Sequence, residues 1–558
     1  MDRMISNSKN SRRHLIKGLT AVALGIVSTG LPAIAQVPGF GFGPGSFFYP
    51  GNLVVSRSVY DNNASNVKVG TPLPPNCAST AGPCAAATYN GTYPFVFNNV
   101  IPDAAFGVTS RIYLDQITPF GFLLDSLEVP NSSLNTPRSG GNQLVTSFSS
   151  KSEMALHLST DGRFLSFVGY VAPVNTLDAS NSNTPGAVDP TNPVGENFYR
   201  AIATVDRSGQ FTFTETNAYS GDNGRAAILN NTDGATFFYT AGNAGNGSNP
   251  QPNGIILGAG AQIIDPSAAP ETFQTPTTPT PLASFSVTEL GDKADKIGKD
   301  DNFRGITIFN NVVYYTKGSG SNGVNTVYFV DTTGTACPKG VGVPAAGATL
   351  PISPLAYNAA NLQTTGLPGN MCILAGFPTT PAKTANPVAY PFGLWFANST
   401  TLYVADEGDG YTGGTDLYTH ASLQTTAGIQ KWIFNSTSNT WNLAYTLQTG
   451  LGLGTPYTVD RYPTGNNSAT NLPWAPATDG IRSLTGSPNI LGRVILYGVT
   501  STISGNGDVG ADPNRLVAII DDIANIDATK AAEEKFIVVR KADFAEVLRG
   551  VSFTPGTR

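Results

Sequence analysis

Pro391-Phe392-Gly393-Leu394-Trp395-Phe396-Ala397-Asn398-Ser399-Thr400-Thr401-Leu402-Tyr403-Val404-Ala405-Asp406 is the stretch on which the reading of the fold turns. A short apolar run, Phe392-Gly393-Leu394, leads through a turn to a second run, Leu402–Ala405. β-Branched and aromatic side chains suit the pleated backbone of a strand, and Asn, Ser and Gly around them close turns. Two further runs follow, Gly428–Phe434 and Trp441–Leu447. The stretch therefore predicts four antiparallel strands in succession.

The same opening recurs along the chain. It appears as Arg225-Ala226-Ala227-Ile228, Arg304-Gly305-Ile306-Thr307, Arg482-Ser483-Leu484 and Arg549-Gly550-Val551. Second strands follow at Thr236–Thr240, Val312–Thr316 and Val494–Gly498, and an earlier unit runs from Met154–Leu158 to Phe164–Gly169. A recurring unit of roughly 70–90 residues with four strands is propeller-like, with the excess length in loops. The ends fit together. Leu53–Tyr60, Arg111–Thr118 and Phe122–Val129 lack an opening strand, and Leu548–Thr554 is an opening strand without followers. Joining them closes the ring and removes an open edge. The fold class expected is all-β: a single β-propeller of six four-stranded blades, closed by the C-terminal strand. Inner strands would start near 153, 225, 304, 392, 482 and 549. Seven blades is the alternative, if residues 61–110 or 340–390 hold another.

Composition agrees. Charged residues make up 13%, with 61 Gly and 40 Pro, which suits many short strands joined by turns. The few helix formers cluster near residues 527–549. A net charge of −6 gives no general attraction to nucleic acid. The N-terminus reads as a targeting segment over residues 1–35, followed by a Gly/Pro-rich lead-in (36–50) and the propeller (51–558). Ser11-Arg12-Arg13-His14-Leu15-Ile16-Lys17, a mildly apolar run and Ala33-Ile34-Ala35 resemble a bacterial twin-arginine export signal. Leu15 and Ile16 depart from that pattern, and an ordinary secretory signal is the alternative. The apolar run is too short for a lasting span. The expectation is an exported, periplasmic or extracellular monomer with no membrane span in the mature chain. In that setting the simplest reading of four cysteines is two local disulfides, Cys77–Cys84 and Cys337–Cys372, with other pairings as alternatives.

The blade pattern over roughly residues 50–555, with phrases such as Thr401-Leu402-Tyr403-Val404-Ala405-Asp406, resembles the exported β-propellers that include NHL-repeat, gluconolactonase-like and YncE-like proteins. The resemblance is to an architecture. It implies lactonases, lyases and binding modules alike, and no catalytic motif of any one family is matched.

Two groups of residues are candidates for a site. An acid stands three residues before each arginine of the repeat: Asp222/Arg225, Asp301/Arg304, Asp479/Arg482 and Glu546/Arg549. Inner strands begin at one mouth of the axial channel, so these pairs would ring that mouth. They would either bind an anionic or hydroxyl-rich ligand through planar guanidinium forks or tie neighbouring blades together. Glu153 and Phe392 occupy the equivalent position in the other two units, so the candidate ligand-binding set is Glu153, Arg225, Arg304, Phe392, Arg482 and Arg549. The second group is Asp406, Glu407 and Asp409 on a Gly-rich turn with Asp416 nearby, a carboxylate spacing that suits calcium. Asp508 and Asp512 form a weaker version.

His157 reads as structural, and His420 as a loop residue. The tryptophans 395, 432, 441 and 474 read as packing residues, with Trp474 between prolines as the candidate loop platform for a sugar. No nucleophile elbow, phosphate loop or dinucleotide fingerprint is present. The favoured function is therefore binding of a small molecule, glycan or protein at the mouth and long loops. The alternative is a calcium-type, metal-assisted hydrolase or lactonase-like enzyme.

Overall fold

The structure is a computed structural model. It describes residues 46–63, 65–66, 68–70, 72–73, 85–86, 108–131, 144–148, 150, 152–176, 179, 199–216, 218–219, 223–232, 234–243, 260–267, 283–287, 302–318, 323–337, 339–351, 369–468, 470–488, 491–506 and 509–557. Residues 1–35, read from the sequence as a targeting segment, and Cys77, Cys84, Asp222, Asp301 and Asp508 lie outside these residues.

Six four-stranded antiparallel blades form a ring. The blade read first from the sequence comprises Pro391–Asn398, Thr401–Asp406, Gly428–Asn435 and Thr440–Leu447. It is blade five. Its second strand is buried along its whole length, because it faces a neighbouring blade on either side. That is why the run is continuously apolar rather than alternating. Blade six comprises Ala477–Pro488, Arg493–Ile503, Arg515–Asp522 and Ile537–Lys541. Before its last strand the helix formers near 527 make one turn, Ala528–Ala531, which the Asp527 carboxylate caps by accepting the Thr529 N–H at 2.8 Å.

Blade one joins the two ends of the fold. Glu546–Phe553 is its inner strand and pairs antiparallel with Leu53–Val59, in register from Leu53 opposite Phe553 to Val59 opposite Glu546. Thr109–Ile117 and Leu123–Glu128 complete it. Blade two comprises His157–Leu158, Phe164–Tyr170, Arg200–Asp206 and Phe211–Thr216. Blade three comprises Gly224–Asn230, Phe237–Gly242, Ala261–Ile264 and Ala283–Val287. Blade four comprises Phe303–Phe309, Val312–Lys317, Thr326–Val330 and Gly369–Leu374. The outer strands of blades three and four also meet as a short parallel pair, Ser286 opposite Gly369.

The core lies between blades. Ile112 and Leu114 of blade one pack with Leu165 and Phe167 of blade two, and Val168 with Ala227 and Phe238 of blade three. Tyr239, Tyr315, Phe396 and Trp432 continue it through blade five. Tyr403 with Leu496, and Tyr497 with Leu53, carry it round to blade one. The Cys337–Cys372 disulfide is formed, with Cα atoms 6.0 Å apart, and ties a loop to the outer strand of blade four. Among the described residues, no helix is long and apolar enough to cross a membrane.

Candidate functional site

The six inner strands begin side by side at one mouth of the channel. The residue after each mouth position is small in five blades: Ala226, Gly305, Gly393, Ser483 and Gly550. The reason is steric. A Cβ on Gly305 would collide with the Phe392 carbonyl, one on Gly393 would lie 2.8 Å from the Arg482 carbonyl oxygen, and one on Gly550 would meet the backbone of Met154–Leu156. Inner strands therefore converge just behind the mouth residues, all six of which are buried.

The four arginines, alike in sequence, differ in their partners. Arg549 donates to the carbonyls of Phe148 and Ser150 and, at 3.1 Å, to Ser58 Oγ. Arg225 donates to Ser152 Oγ at 2.9 Å, to the Phe303 carbonyl at 2.7 Å and to Asn302. These two fasten adjoining blades. Arg482 donates through Nε to Glu407 Oε2 at 2.9 Å, an acid of the adjacent blade. Arg304 is 4% exposed, and its Nε and Nη1 have no hydrogen-bond partner among the described residues. Burial pulls its guanidinium down from the ordinary value; the Glu407 carboxylate opposes this and the Arg482 charge adds to it.

Where described, the acids three residues upstream bond elsewhere. Glu546 takes Arg57 at 2.5 Å, and Asp479 accepts Gly410 N–H at 2.8 Å and Gln424 Nε2 at 2.5 Å. Glu153 is engaged within its own seam, by Thr146 Oγ1 at 2.9 Å, Asn223 Nδ2 at 2.7 Å and the Tyr170 hydroxyl. Phe392 is buried, and its carbonyl accepts from Thr316 Oγ1. It separates the inner strands that carry Arg304 and Arg482.

The acidic turn lies beside this mouth, but its carboxylates diverge. Asp406 accepts the Tyr390 N–H at 2.8 Å and the Gly408 N–H at 3.0 Å. Glu407 holds Arg482, and Asp409 bonds His420 Nε2 at 2.6 Å. His420 in turn stacks on Tyr411, whose hydroxyl reaches Asp416 at 3.3 Å. Asp512 takes the Tyr462 hydroxyl at 2.6 Å. Among the described residues, the one group of three metal-type donors is Asp331 with Cys337 and Cys372, whose sulfurs the disulfide uses. Burial pushes Asp479 up to about 7, against the hydrogen bond from Gly410, and Asp406 up to about 6, against those from Tyr390 and Gly408.

The inner strands run on to the opposite mouth. A cavity of about 890 Å³ opens there, lined by residues of all six inner strands, among them Leu156, Ile228, Thr307, Trp395, Leu484 and Phe553. His157 lines it too, and burial lowers its imidazole to about 4, so it is neutral at ordinary pH. Trp432, Trp441 and Trp474 are buried. Trp474 packs with Tyr462, Tyr60 and Phe148, so it is a core residue and not an open platform. Trp395 is half-buried and borders the cavity, a role the sequence signals only through its place three residues along an inner strand from Phe392.

The chain matches no protein-family model and no curated protein. Solved structures give distant likenesses. The N-terminal domain of Nup159 is 7% identical over 70% of this chain and 92% of that one, with a TM-score of 0.25. An ACO/RPE65 chimera is 8% identical over 91% and 94%, with a TM-score of 0.28. Inulosucrase from Halalkalicoccus jeotgali bound to kestose is 12% identical over 70% and 100%, with a TM-score of 0.26. Scores this low carry no argument about function, and the propeller rests on its own six blades.

Proposed function

We propose that the protein is an exported binding protein whose Arg304 mouth takes an anionic group, a carboxylate foremost. One observation carries the reading: Arg304 is buried and its Nε and Nη1 have no acceptor among the described residues. A guanidinium keeps its charge in proteins, and each unsatisfied buried donor costs about 1–3 kcal/mol. A carboxylate or similar oxyanion supplies acceptors along an edge of the planar guanidinium. Arg482 stands close enough to be felt electrostatically, and the intervening Glu407 is already bonded to it. Export is supported by the twin-arginine-like segment around Arg12-Arg13 and fits a disulfide-bonded fold. Kinship with the lactonase-like propellers rests on blade pattern alone. No specific contact favours cation-assisted hydrolysis.

Calorimetric titration with acetate, succinate and sulfate tests the reading, with sodium chloride as the control. At least one oxyanion should bind, and Arg304→Gln should weaken it at least tenfold. Equal binding by the variant, or no oxyanion binding at all, would remove the proposal.

A further inference from the structure

We propose that the cavity at the opposite mouth is a second binding site, for an uncharged oligosaccharide, with Trp395 as the stacking platform. It rests on the chemistry of that cavity and is independent of the anion reading. Its volume of about 890 Å³ falls within the range of about 300–1,000 Å³ that small-molecule sites occupy. Among the described residues its lining carries no formal charge: apolar side chains alternate with hydroxyls such as Thr160, Thr232, Thr307, Thr485 and Ser487, and His157 is neutral. An ion would lose its hydration there without gaining a counter-charge, whereas a hydroxylated ring exchanges water for hydroxyl partners.

Trp395 is braced for such a role. Its ring lies against Gly486 of blade six, where a Cβ would come within 2.6 Å of it, and stacks on Tyr403 with centroids 6.1 Å apart. The indole is thus fixed in place, half-buried, where it borders the cavity. Its N–H has no hydrogen-bond partner among the described residues and is not among their buried unpaired donors, so it is free to donate to a ligand. At the rim, Asn310 and Asn311 form the turn between the first two strands of blade four, with φ of 47° and 59°. Both side chains are exposed, and their amides have no partner among the described residues. An amide offers two donors and an acceptor, which matches a sugar hydroxyl that both donates and accepts. A pyranose has an apolar C–H face and a rim of hydroxyls. An indole and two free amides lining one cavity offer both kinds of contact.

The other three tryptophans are buried, so Trp395 is the indole that acrylamide reaches. Cellotriose, maltotriose, mannotriose and chitotriose are titrated into the full chain while acrylamide quenching is followed, with binding confirmed by calorimetry. At least one should protect the fluorescence, and sodium acetate should not. Trp395→Phe should keep calorimetric binding, and Trp395→Ala should abolish it. Asn310→Gly with Asn311→Gly keeps the left-handed turn and should weaken binding about tenfold. Arg304→Gln should bind the trisaccharide like the unaltered protein, which separates this site from the anion site. Absence of protection by all four sugars, or undiminished binding by Trp395→Ala, would overturn the proposal.

Discussion

Repetition made Arg225, Arg304, Arg482 and Arg549 look equivalent, and they are equivalent only in position. The partners of Arg225, Arg482 and Arg549 come from segments far away in the chain: Ser150 lies 399 residues from Arg549, and Glu407 lies 75 from Arg482. A repeat fixes where a side chain starts and leaves open which loop meets it, so the site was legible as a ring and not as a division of labour. The division predicts opposite responses to mutation. Arg549 donates to three protein oxygens, two of them backbone carbonyls that Arg549→Ala would leave buried without a donor. That change should cost about 3 kcal/mol. Arg304→Met removes a buried charge whose Nε and Nη1 lack acceptors among the described residues and should leave stability unchanged or raise it by about 1–2 kcal/mol. Denaturant unfolding of the two variants checks this. A loss at Arg304 as large as that at Arg549 would mean that Arg304 also serves only to hold blades together.

At the level of single elements, the strands were legible because burial on both faces demands continuous apolar runs, and the turns because Gly and Asn mark them. Leu402–Ala405 and Val312–Thr316 fall within observed strands, and the two ends of the fold pair as expected. The long connections were not legible, because side-chain pattern says little where no sheet imposes a period. Small residues behind the mouth were visible in the repeat, yet their reason appears only in space. Gly305 faces the backbone of Phe392 and Gly318 that of Pro391, so the inner two strands of blade four touch the next blade through main chain. Gly305→Ala cannot be relieved by a rotamer change and should cost about 2–4 kcal/mol. Gly234, with φ +76° and open space around it, offers the control: Gly234→Ala meets only the left-handed penalty, about 1 kcal/mol. Comparable urea midpoints for the two variants would contradict the packing argument.

Across the whole molecule, closing a ring of sheets forces some carboxylates into the seams between blades, and their protons couple stability to pH. Asp479 of blade six meets the turn of blade five, and its carboxyl is raised to about 7. Asp406 and Asp512 are raised to about 6. An unfolded chain gives up these protons near the ordinary aspartate value, about 3.9. Between pH 5 and pH 8 the folded protein therefore holds protons that the unfolded chain has lost, and stability falls as pH rises. His157 acts in the opposite sense. Lowered to about 4, it makes the unfolded chain the better proton binder up to its ordinary value near 6.5, so it offsets one of the aspartates below that pH. Above pH 6.5 the His157 contribution is spent and Asp479 dominates, with Glu534, raised to about 8, acting in the same direction. One proton gives a slope of at most about 1.4 kcal/mol per pH unit. The melting temperature should consequently be higher at pH 6.5 than at pH 8, and Asp479→Asn should flatten the decline while leaving the lower-pH limb in place. A melting temperature that climbs from pH 6.5 to 8, or an unchanged slope in Asp479→Asn, would show that the seam between blades five and six carries no stored proton.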